Sequence, residues 1–455
     1  MNTARNASPS QAQPGLPGLP DALQEQEAFA IAYQAYLWGY PYVKSLLLRR
    51  EATHPTSRNH APYNQFHRYT ELAKPGFHDF TPTVEALMNV GWFDLSGGPL
   101  LIDVPEVLER YWSVVATDIA GNTVSYLGSR LGSAPGRYAY VWRGWGGDLP
   151  DGVTRIDIDS RFLITLVRSL VRQGREGDLQ ACVASNARFT LQTLPGARPM
   201  PVDAGPTPPL SARPDAPHFH SLVFFELLNA AIAEAGVLPG EEGVAAQFYG
   251  LGIGCAGRFD AERLSDAQRR GLQQGVLAAF GRVQAHLQVS AQRQGTWFFN
   301  YKVGVYGHDF LSRSAIALGG FGAMVPEETL YVYAMTDAQG APLDAARRYR
   351  IRFDNGGYPP VDAFWSITLY TRPANQLVAN PIDRYSISSE TTGLQHGPDG
   401  SLTIALQSDA PEGELAANWL PAPPSGPFWL VLRTYVPHAP LLQGHYTPPP
   451  VTRAD

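Results

Sequence analysis

The chain has 455 residues, 44% of them hydrophobic and 17% charged. That is enough apolar material for more than one core and too little charge for a disordered chain. With 35 Lys and Arg against 41 Asp and Glu the formal charge is −6, and no basic tract stands out, so nucleic acid is not an expected partner.

The first 20 residues, MNTARNASPSQAQPGLPGLP, read as a disordered polar and Pro/Gly tail without the apolar stretch of a secretion signal. No apolar run reaches the ~18 residues that span a bilayer, so the expectation is a cytoplasmic protein without a membrane segment. From Asp21 to about Arg50, Ala28, Ile31, Ala35 and Trp38 recur at helical spacing. Pro41 is expected to interrupt that helix, since it lacks the N–H the ladder needs. Residues 51–79, rich in His, Asn and Pro, read as loop. Strand-like runs bounded by turn residues follow at 98–104, 110–118, 123–127, 137–142 and 154–158, the pattern of an antiparallel sandwich or barrel.

The middle reads as helical. Phe162, Leu163, Leu166, Val167 and Leu170 predict a helix over 160–172, and another is predicted over 178–192. Residues 193–217 form a Pro-rich connector. Helices are predicted at 219–235 and 261–294, with Ser265 as N-cap and Gln268 three positions on, and a shorter one at 309–318. Strands return afterwards. Residues 348–353 alternate charged and apolar, as do the positions around Leu402, Ile404 and Leu406. The nearly apolar 364–370 and 428–435 predict central strands. The reading is an α+β, β-rich fold: two antiparallel β-sandwich or jelly-roll-like domains joined by a helical segment. Its expected parts are the tail (1–20), an N-terminal helix plus β domain (21–192), the connector (193–217), a helical connecting region (218–324) and a C-terminal β domain (325–455).

Familiar catalytic signatures are missing. The sequence has no GxGxxG after a strand, no GxxxxGK[ST], no GxSxG and no HExxH, so no nucleotide or other cofactor is expected. Cys182 and Cys255 are far apart and form no CxxC, which reads as two reduced thiols. His54, His60, His67 and His78 with Asp79 crowd one loop, and His218 and His220 form a second pair. Loop histidines of this kind can bind zinc or iron, but the His218-x-His220 pair opens a helix, and no metal is expected.

Several phrases carry a family resemblance: Gly319-Gly320-Phe321-Gly322-Ala323, Pro326-Glu327-Glu328, Pro359 through Ser366, Asn380-Pro381-Ile382-Asp383-Arg384-Tyr385, and Asn418-Trp419-Leu420-Pro421. In the first half, Asn64 through His67, Trp92 through Ser96, Gly98-Pro99 and Arg110-Tyr111 add to it. Over about residues 25–452 the chain resembles a widespread, mostly bacterial two-domain family whose halves are domains of unknown function twelve-fifty-four and twelve-fourteen. The resemblance implies two jelly-roll-like β domains joined by helices, often assembled as oligomers, and implies little about a reaction. At 82–89 the family usually has Pro-Asn-x-Asp-Thr-Leu-Tyr-Ser, whereas this chain has Pro82-Thr83-Val84-Glu85-Ala86-Leu87-Met88-Asn89. A less polar pocket is the expected consequence.

Two groups of residues carry candidate chemistry. In the first, His67 and Glu85 would form an acid/base pair, Arg110 would hold an anionic group, and Tyr111 and Asn64 would orient it. The alternative is that Glu85 and Arg110 form a structural ion pair. The second group is Asp309 and Arg313 with Arg384 and Tyr385. There a helical i, i+4 salt bridge between Asp309 and Arg313 competes with a pocket in which Arg384 and Tyr385 hold ligand oxygens. A third feature, Tyr138, Tyr140 and Trp142 on one strand face, is either core or a sugar platform. The functional expectation is an enzyme acting on a small, partly apolar organic molecule by acid/base chemistry: a lyase, isomerase, cyclase or hydrolase. The rival is a non-catalytic carbohydrate- or lipid-binding or assembly protein. The alternating Arg348–Phe353 strand and the many aromatics lead to the expectation of a homo-oligomer.

Overall fold

A computed structural model describes residues 18–77, 81–196 and 209–454. The tail up to residue 17, His78 and Asp79 of the histidine loop, and residues 197–208 of the Pro-rich connector lie outside them. The chain opens with helix α1 (Asp21–Thr53), which runs through Pro41 without a break. Sequence reasoning expected an interruption. Proline cannot donate to the carbonyl of Leu37 four residues back, but the Ser314 hydroxyl donates to that carbonyl instead, at 2.5 Å. A neighbouring element thus satisfies the group that proline orphans.

The N-terminal sandwich follows: β1 (His67–Arg68), β2 (Ala86–Asp94), β3 (Leu100–Val104), β4 (Trp112–Thr117), β5 (Thr123–Gly128), β6 (Gly136–Trp142), β7 (Val153–Ile158), β8 (Phe162–Leu170), helix α2 (Asp178–Ala187) and β9 (Thr190–Thr193). One sheet has the order β1-β2-β8-β4-β5 and the other β7-β6-β3-β9. Pairing is antiparallel except for β6 with β7. Phe93, Val114, Leu163 and Val167 from the first sheet pack on Ile102 and Tyr140 from the second.

The segment 160–172 is therefore a strand, not the predicted helix. Strand β8 lies in the middle of its sheet and carries apolar residues on both faces, Leu163 and Val167 on one and Ile164 and Leu166 on the other, a pattern that also fits helical spacing. The helix predicted over 178–192 ends at Ala187, and its remainder supplies β9.

Helices α3 (Val223–Ala235), α4 (Glu242–Ala246), α5 (Asp266–Val289) and α6 (Phe310–Gly320) join α1 in a separate core. Ser265 caps α5 as expected, accepting from Gln268 N while Gln268 accepts from Ser265 N. Close approach of α1 and α5 depends on small residues. A Cβ at Gly275 would fall 2.6 Å from Ala32 Cβ and 2.7 Å from the Phe29 carbonyl oxygen.

The C-terminal sandwich contains β10 (Gln292–Gln294), β11 (Trp297–Phe299), β12 (Thr329–Ala334), β13 (Tyr349–Phe353), β14 (Trp365–Thr371), β15 (Ser386–Ser388), β16 (Leu402–Gln407), β17 (Trp419–Pro421), β18 (Phe428–Tyr435), the short helix α7 (Ala439–Leu442) and β19 (Thr452–Arg453). Its sheets are β10-β11-β12-β18-β14-β15 and β17-β16-β13-β19. Leu330, Ile367 and Leu432 of the first sheet meet Ile351, Ile404 and Leu406 of the second. The predicted central position of 428–435 holds, since β18 pairs with both β12 and β14. Along the alternating 348–353 segment, Arg348 pairs with Asp409, Arg350 donates to Gln407 and Arg352 pairs with Asp399. The fold is α+β and β-rich. Among the described residues no helix is long and apolar enough to cross a membrane.

Candidate functional site

Strand register decides which side chains the N-terminal sandwich turns away from its own core. His67, Val90, Leu166 and Val115 form one row across β1, β2, β8 and β4. Met88, Arg168 and Ser113 form the next row, and Ala86 and Leu170 the one after. Side chains paired across strands, and those two apart along a strand, share a face. The C-terminal sandwich turns a matching face outward. There Tyr331, Arg433 and Ser366 form a row across β12, β18 and β14, with Thr329 and Tyr435 beside it.

The two faces meet around Tyr111, Leu170, Phe364 and Tyr435. Tyr435 lies flat on Phe364, with ring centroids 4.1 Å apart, and tilts against Tyr111 at 5.1 Å. Met88, Val90, Ile164 and Leu166 keep some solvent exposure although β2 and β8 are interior strands of their sheet, and Tyr331 and Tyr333 do the same on the facing sheet. We read these partly exposed apolar rows as the walls of a crevice between the sheets, ending where Tyr435 stacks on Phe364 and tilts against Tyr111.

The closed end is polar. Arg433 is fully buried. It donates from Nη1 to Thr368 Oγ1 at 2.9 Å, and from Nη2 to the Tyr370 hydroxyl and the Thr81 carbonyl, each at 2.8 Å. Its Nε has no partner. Tyr370 in turn donates to the Pro82 carbonyl at 2.7 Å. Burial works against the Arg433 charge, yet the surrounding hydroxyls and Glu85 hold it above its ordinary range. Among the described residues Arg168, also buried, donates only to Met324 Sδ, at 3.3 Å. Burial raises the Tyr435 hydroxyl well above its ordinary value, while Arg433 and Arg168 pull it down. It is a protonated donor at neutral pH, and it has no acceptor.

Glu85 reaches this layer from the strand start at Ala86. Its Oε2 accepts from Thr83 Oγ1 at 2.9 Å and from Val84 N at 3.3 Å, and its Oε1 is buried without a partner. Tyr111 lies alongside, donating to Glu328 Oε1 at 2.6 Å, with Arg130 on the other Glu328 oxygen at 2.7 Å. Burial and then Glu328 raise the Tyr111 hydroxyl.

The structure does not bring His67 to Glu85. His67 pairs with Val90, four residues beyond Ala86, which at ~3.3 Å per residue is ~13 Å along the strand. It shares the crevice face at its edge, against Tyr69, and burial lowers its pKa below the ordinary value. Arg110 points elsewhere and grips Asp178 through both terminal nitrogens, at 3.1 and 3.2 Å, so it is paired with neither Glu85 nor Tyr111. The amide of Asn64 bridges the Asp94 backbone and closes the end of β2.

The second predicted group also disperses. Asp309 caps α6 through Ser312 and makes no bridge to Arg313. Arg313 donates to both oxygens of Glu241 and to the Trp38 carbonyl. Arg384 donates to the carbonyls of Ala417 and Trp419, and Tyr385 donates to Asp383. Tyr140 is core, packed on Phe93, with Tyr138 and Trp142 partly buried against the same core. Among the described residues no three His, Cys, Asp or Glu side chains gather as a metal would require.

Sequence reasoning missed Arg168, Arg433 and Tyr435. Reading 160–172 as a helix hid which face Arg168 shares. For Arg433 a signal was present: it is the single charged residue in the otherwise apolar Phe428–Tyr435 run.

Comparison with known proteins bears on family and fold. No curated protein matches the chain. The whole fold is similar to the crystal structure of the VPA0106 protein from Vibrio parahaemolyticus, with a TM-score of 0.69 at 21% identity, covering 94% of this chain and 100% of that one. An uncharacterized protein from Burkholderia cenocepacia aligns over 95% of this chain and 96% of its own at 11% identity and a TM-score of 0.42. Residues 63–193 match the family described as "Protein of unknown function (DUF1254)" and residues 328–439 the one described as "Protein of unknown function (DUF1214)". With each sandwich matched in turn, the chain belongs to the family that pairs a DUF1254 domain with a DUF1214 domain.

Proposed function

We propose that the crevice between the two sandwiches binds a small, partly apolar organic molecule, and that this cytoplasmic protein acts on it by acid/base chemistry without a nucleotide cofactor. The observation that carries the reading is the half-exposed apolar row on the interior strands β2 and β8, facing a polar closed end. Interior strand positions are ordinarily covered, so apolar side chains left reachable there mark a binding surface. Glu85 is the proton-transferring group: one oxygen is held by Thr83 and Val84, and the other is free to meet a ligand. Tyr435 is a fixed donor for a developing or resident negative charge. His67 lines the edge of the same face and is not the partner of Glu85.

The sugar-platform alternative loses its support, because Tyr140 is buried in the core and its strand neighbours pack against it. The reading also includes association into a homo-oligomer, which a steady monomer mass in light scattering at micromolar concentration would remove.

The test is extraction and mass spectrometry of small molecules that co-purify with the protein, repeated on Met88→Trp, which narrows the crevice in the row that also holds Arg168. A compound lost in the variant supports the reading. A compound retained equally by a folded Met88→Trp protein places the ligand elsewhere.

A further inference from the structure

Four polar atoms on neighbouring positions of the C-terminal face are buried and have no partner: Arg433 Nε, Ser366 Oγ, Tyr435 Oη and Thr329 Oγ1. Arg433 and Ser366 are register partners, Tyr435 and Thr329 are register partners, and Arg433 and Tyr435 are two apart on β18. One orphaned polar atom is common, whereas four on neighbouring positions of a single face are a set, because each orphan costs about 1–3 kcal/mol when nothing meets it. Arg168 joins them through its single described partner, the Met324 sulfur, which packs in one cluster with Tyr435. Tyr435 lies within the electrostatic reach of both guanidinium groups.

The formal charges define what fits. Among the described residues Arg168 and Arg433 contribute two positive charges to this end and Glu85 one negative. Glu328 is cancelled by Arg130 at 2.7 Å. The remainder is a single positive charge, walled off from water. An uncompensated buried charge is strongly unfavourable, and a monoanion would neutralise it.

We infer that the ligand of the crevice carries a carboxylate, seated at the closed end between Arg168 and Arg433 and receiving the Tyr435 hydroxyl, with its apolar body along Met88, Val90, Ile164 and Leu166. This rests on the crevice being the binding site and adds the chemical class of what it takes. The carboxylate is planar, carries one charge and accepts along several directions, which suits two guanidinium groups and a phenol converging on one place. A dianionic phosphate would leave one negative charge in excess. Glu85, whose free oxygen borders the same end, would then act at the carbon next to the carboxylate.

The experiment compares hexanoate with hexanamide, which have nearly the same shape and differ in charge. Protein labelled with 13C at methionine methyls reports binding through the Met88 signal, assigned with Met88→Leu. The expected result is that hexanoate moves the signal at concentrations at least tenfold lower than hexanamide does. In Arg168→Met the two probes become equal within about twofold, and in Arg168→Lys the preference partly returns. If hexanamide binds as tightly as hexanoate in the unaltered protein, the crevice stands as the site and the carboxylate is overturned. If Arg168→Met keeps the full preference, the assignment to this end is overturned. If neither probe moves Met88, the crevice reading fails and takes the inference with it.

Discussion

In the helical layer Arg313 has no exposed side-chain surface. It donates to both oxygens of Glu241, at 2.5 and 3.3 Å, and to the Trp38 carbonyl at 3.1 Å. Trp38 Nε1 and the Tyr42 hydroxyl donate to the same carboxylate, at 2.6 and 2.9 Å. Between the sandwiches Arg433 is as deeply buried, and like Arg313 it leaves its Nε without a partner among the described residues, yet every described acceptor it touches is neutral. The difference separates two uses of a buried cation. Where charge is matched by charge and all acceptors are filled, the group locks helices together. Where donors converge on one another without a fixed counter-ion, the cation is kept for something that arrives.

The largest effect should come from neutralising the two nearby carboxylates in turn. Glu241→Gln leaves Arg313 buried without a counter-charge and is expected to cost about 3–5 kcal/mol in urea unfolding. Glu85→Gln is expected to cost clearly less, because Glu85 acts on Arg433 through space, with no contact within ion-pair range among the described residues, and Gln can still accept from Thr83 and Val84. Equal costs would make Glu85 the structural counter-ion of Arg433 and break the distinction.

A pH effect of similar size belongs to the helical side. Asp118 accepts from Ala120 N, Asn122 N and Asn122 Nδ2 and feels Arg313, but burial is the largest influence and raises its carboxyl from 3.8 to about 6. The folded chain then holds that proton more tightly than the unfolded chain does. The extra stability is fully present below pH ~4 and is lost as pH rises through ~6, a change on the order of 3 kcal/mol. Urea midpoints measured from pH 4 to 7 should fall across this window, and Asp118→Asn should flatten the profile. A wild-type profile already flat there would show that the three hydrogen bonds outweigh burial.

Added bulk gives a smaller contrast. Gly275→Ala places a methyl 2.6 Å from Ala32 Cβ, with rigid helix backbone on the other side. About 1–3 kcal/mol of destabilisation is expected. Met88→Trp adds far more volume, yet Met88 borders open crevice and its thermal midpoint should change little, with a cost below ~1 kcal/mol. A Met88→Trp variant that unfolds as readily as Gly275→Ala would mean that the two sheets are packed there.

Much of the fold was legible because alternation and capping are local. The Ser265 cap, the alternating strands after residue 348 and the central β18 follow from neighbours in sequence. What failed depended on distant partners. Pro41 stays inside α1 because Ser314, far along the chain, supplies a donor, and β8 looked helical because apolar residues stand on both its faces. The candidate site was half legible. Glu85 and Tyr111 do reach the junction of the sandwiches. Arg110, next to Tyr111 in sequence, turns to Asp178 instead, since successive strand residues face opposite ways. The pairing of His67 with Glu85 failed because the register of β1 on β2, invisible in sequence, sets them rows apart.

The smallest expected effect is also the most discriminating, because it removes one oxygen atom from each region. The Tyr42 hydroxyl donates to Glu241 at 2.9 Å and accepts from Leu238 N at 3.1 Å, so Tyr42→Phe takes a donor from a carboxylate and an acceptor from a backbone amide. A loss of about 1–2 kcal/mol is expected. The Tyr435 hydroxyl is buried with no partner, and its ring is held by stacking on Phe364 that phenylalanine would keep. Tyr435→Phe should therefore leave stability within ~0.5 kcal/mol of the unaltered protein, or raise it, since an unmet polar atom is exchanged for nothing. Hexanoate affinity, by contrast, should fall several-fold in Tyr435→Phe and stay unchanged in Tyr42→Phe. Thermal unfolding with and without hexanoate measures both quantities on the same samples. If Tyr435→Phe loses as much stability as Tyr42→Phe and binds hexanoate as before, the hydroxyl is structural and the two buried regions serve the same purpose.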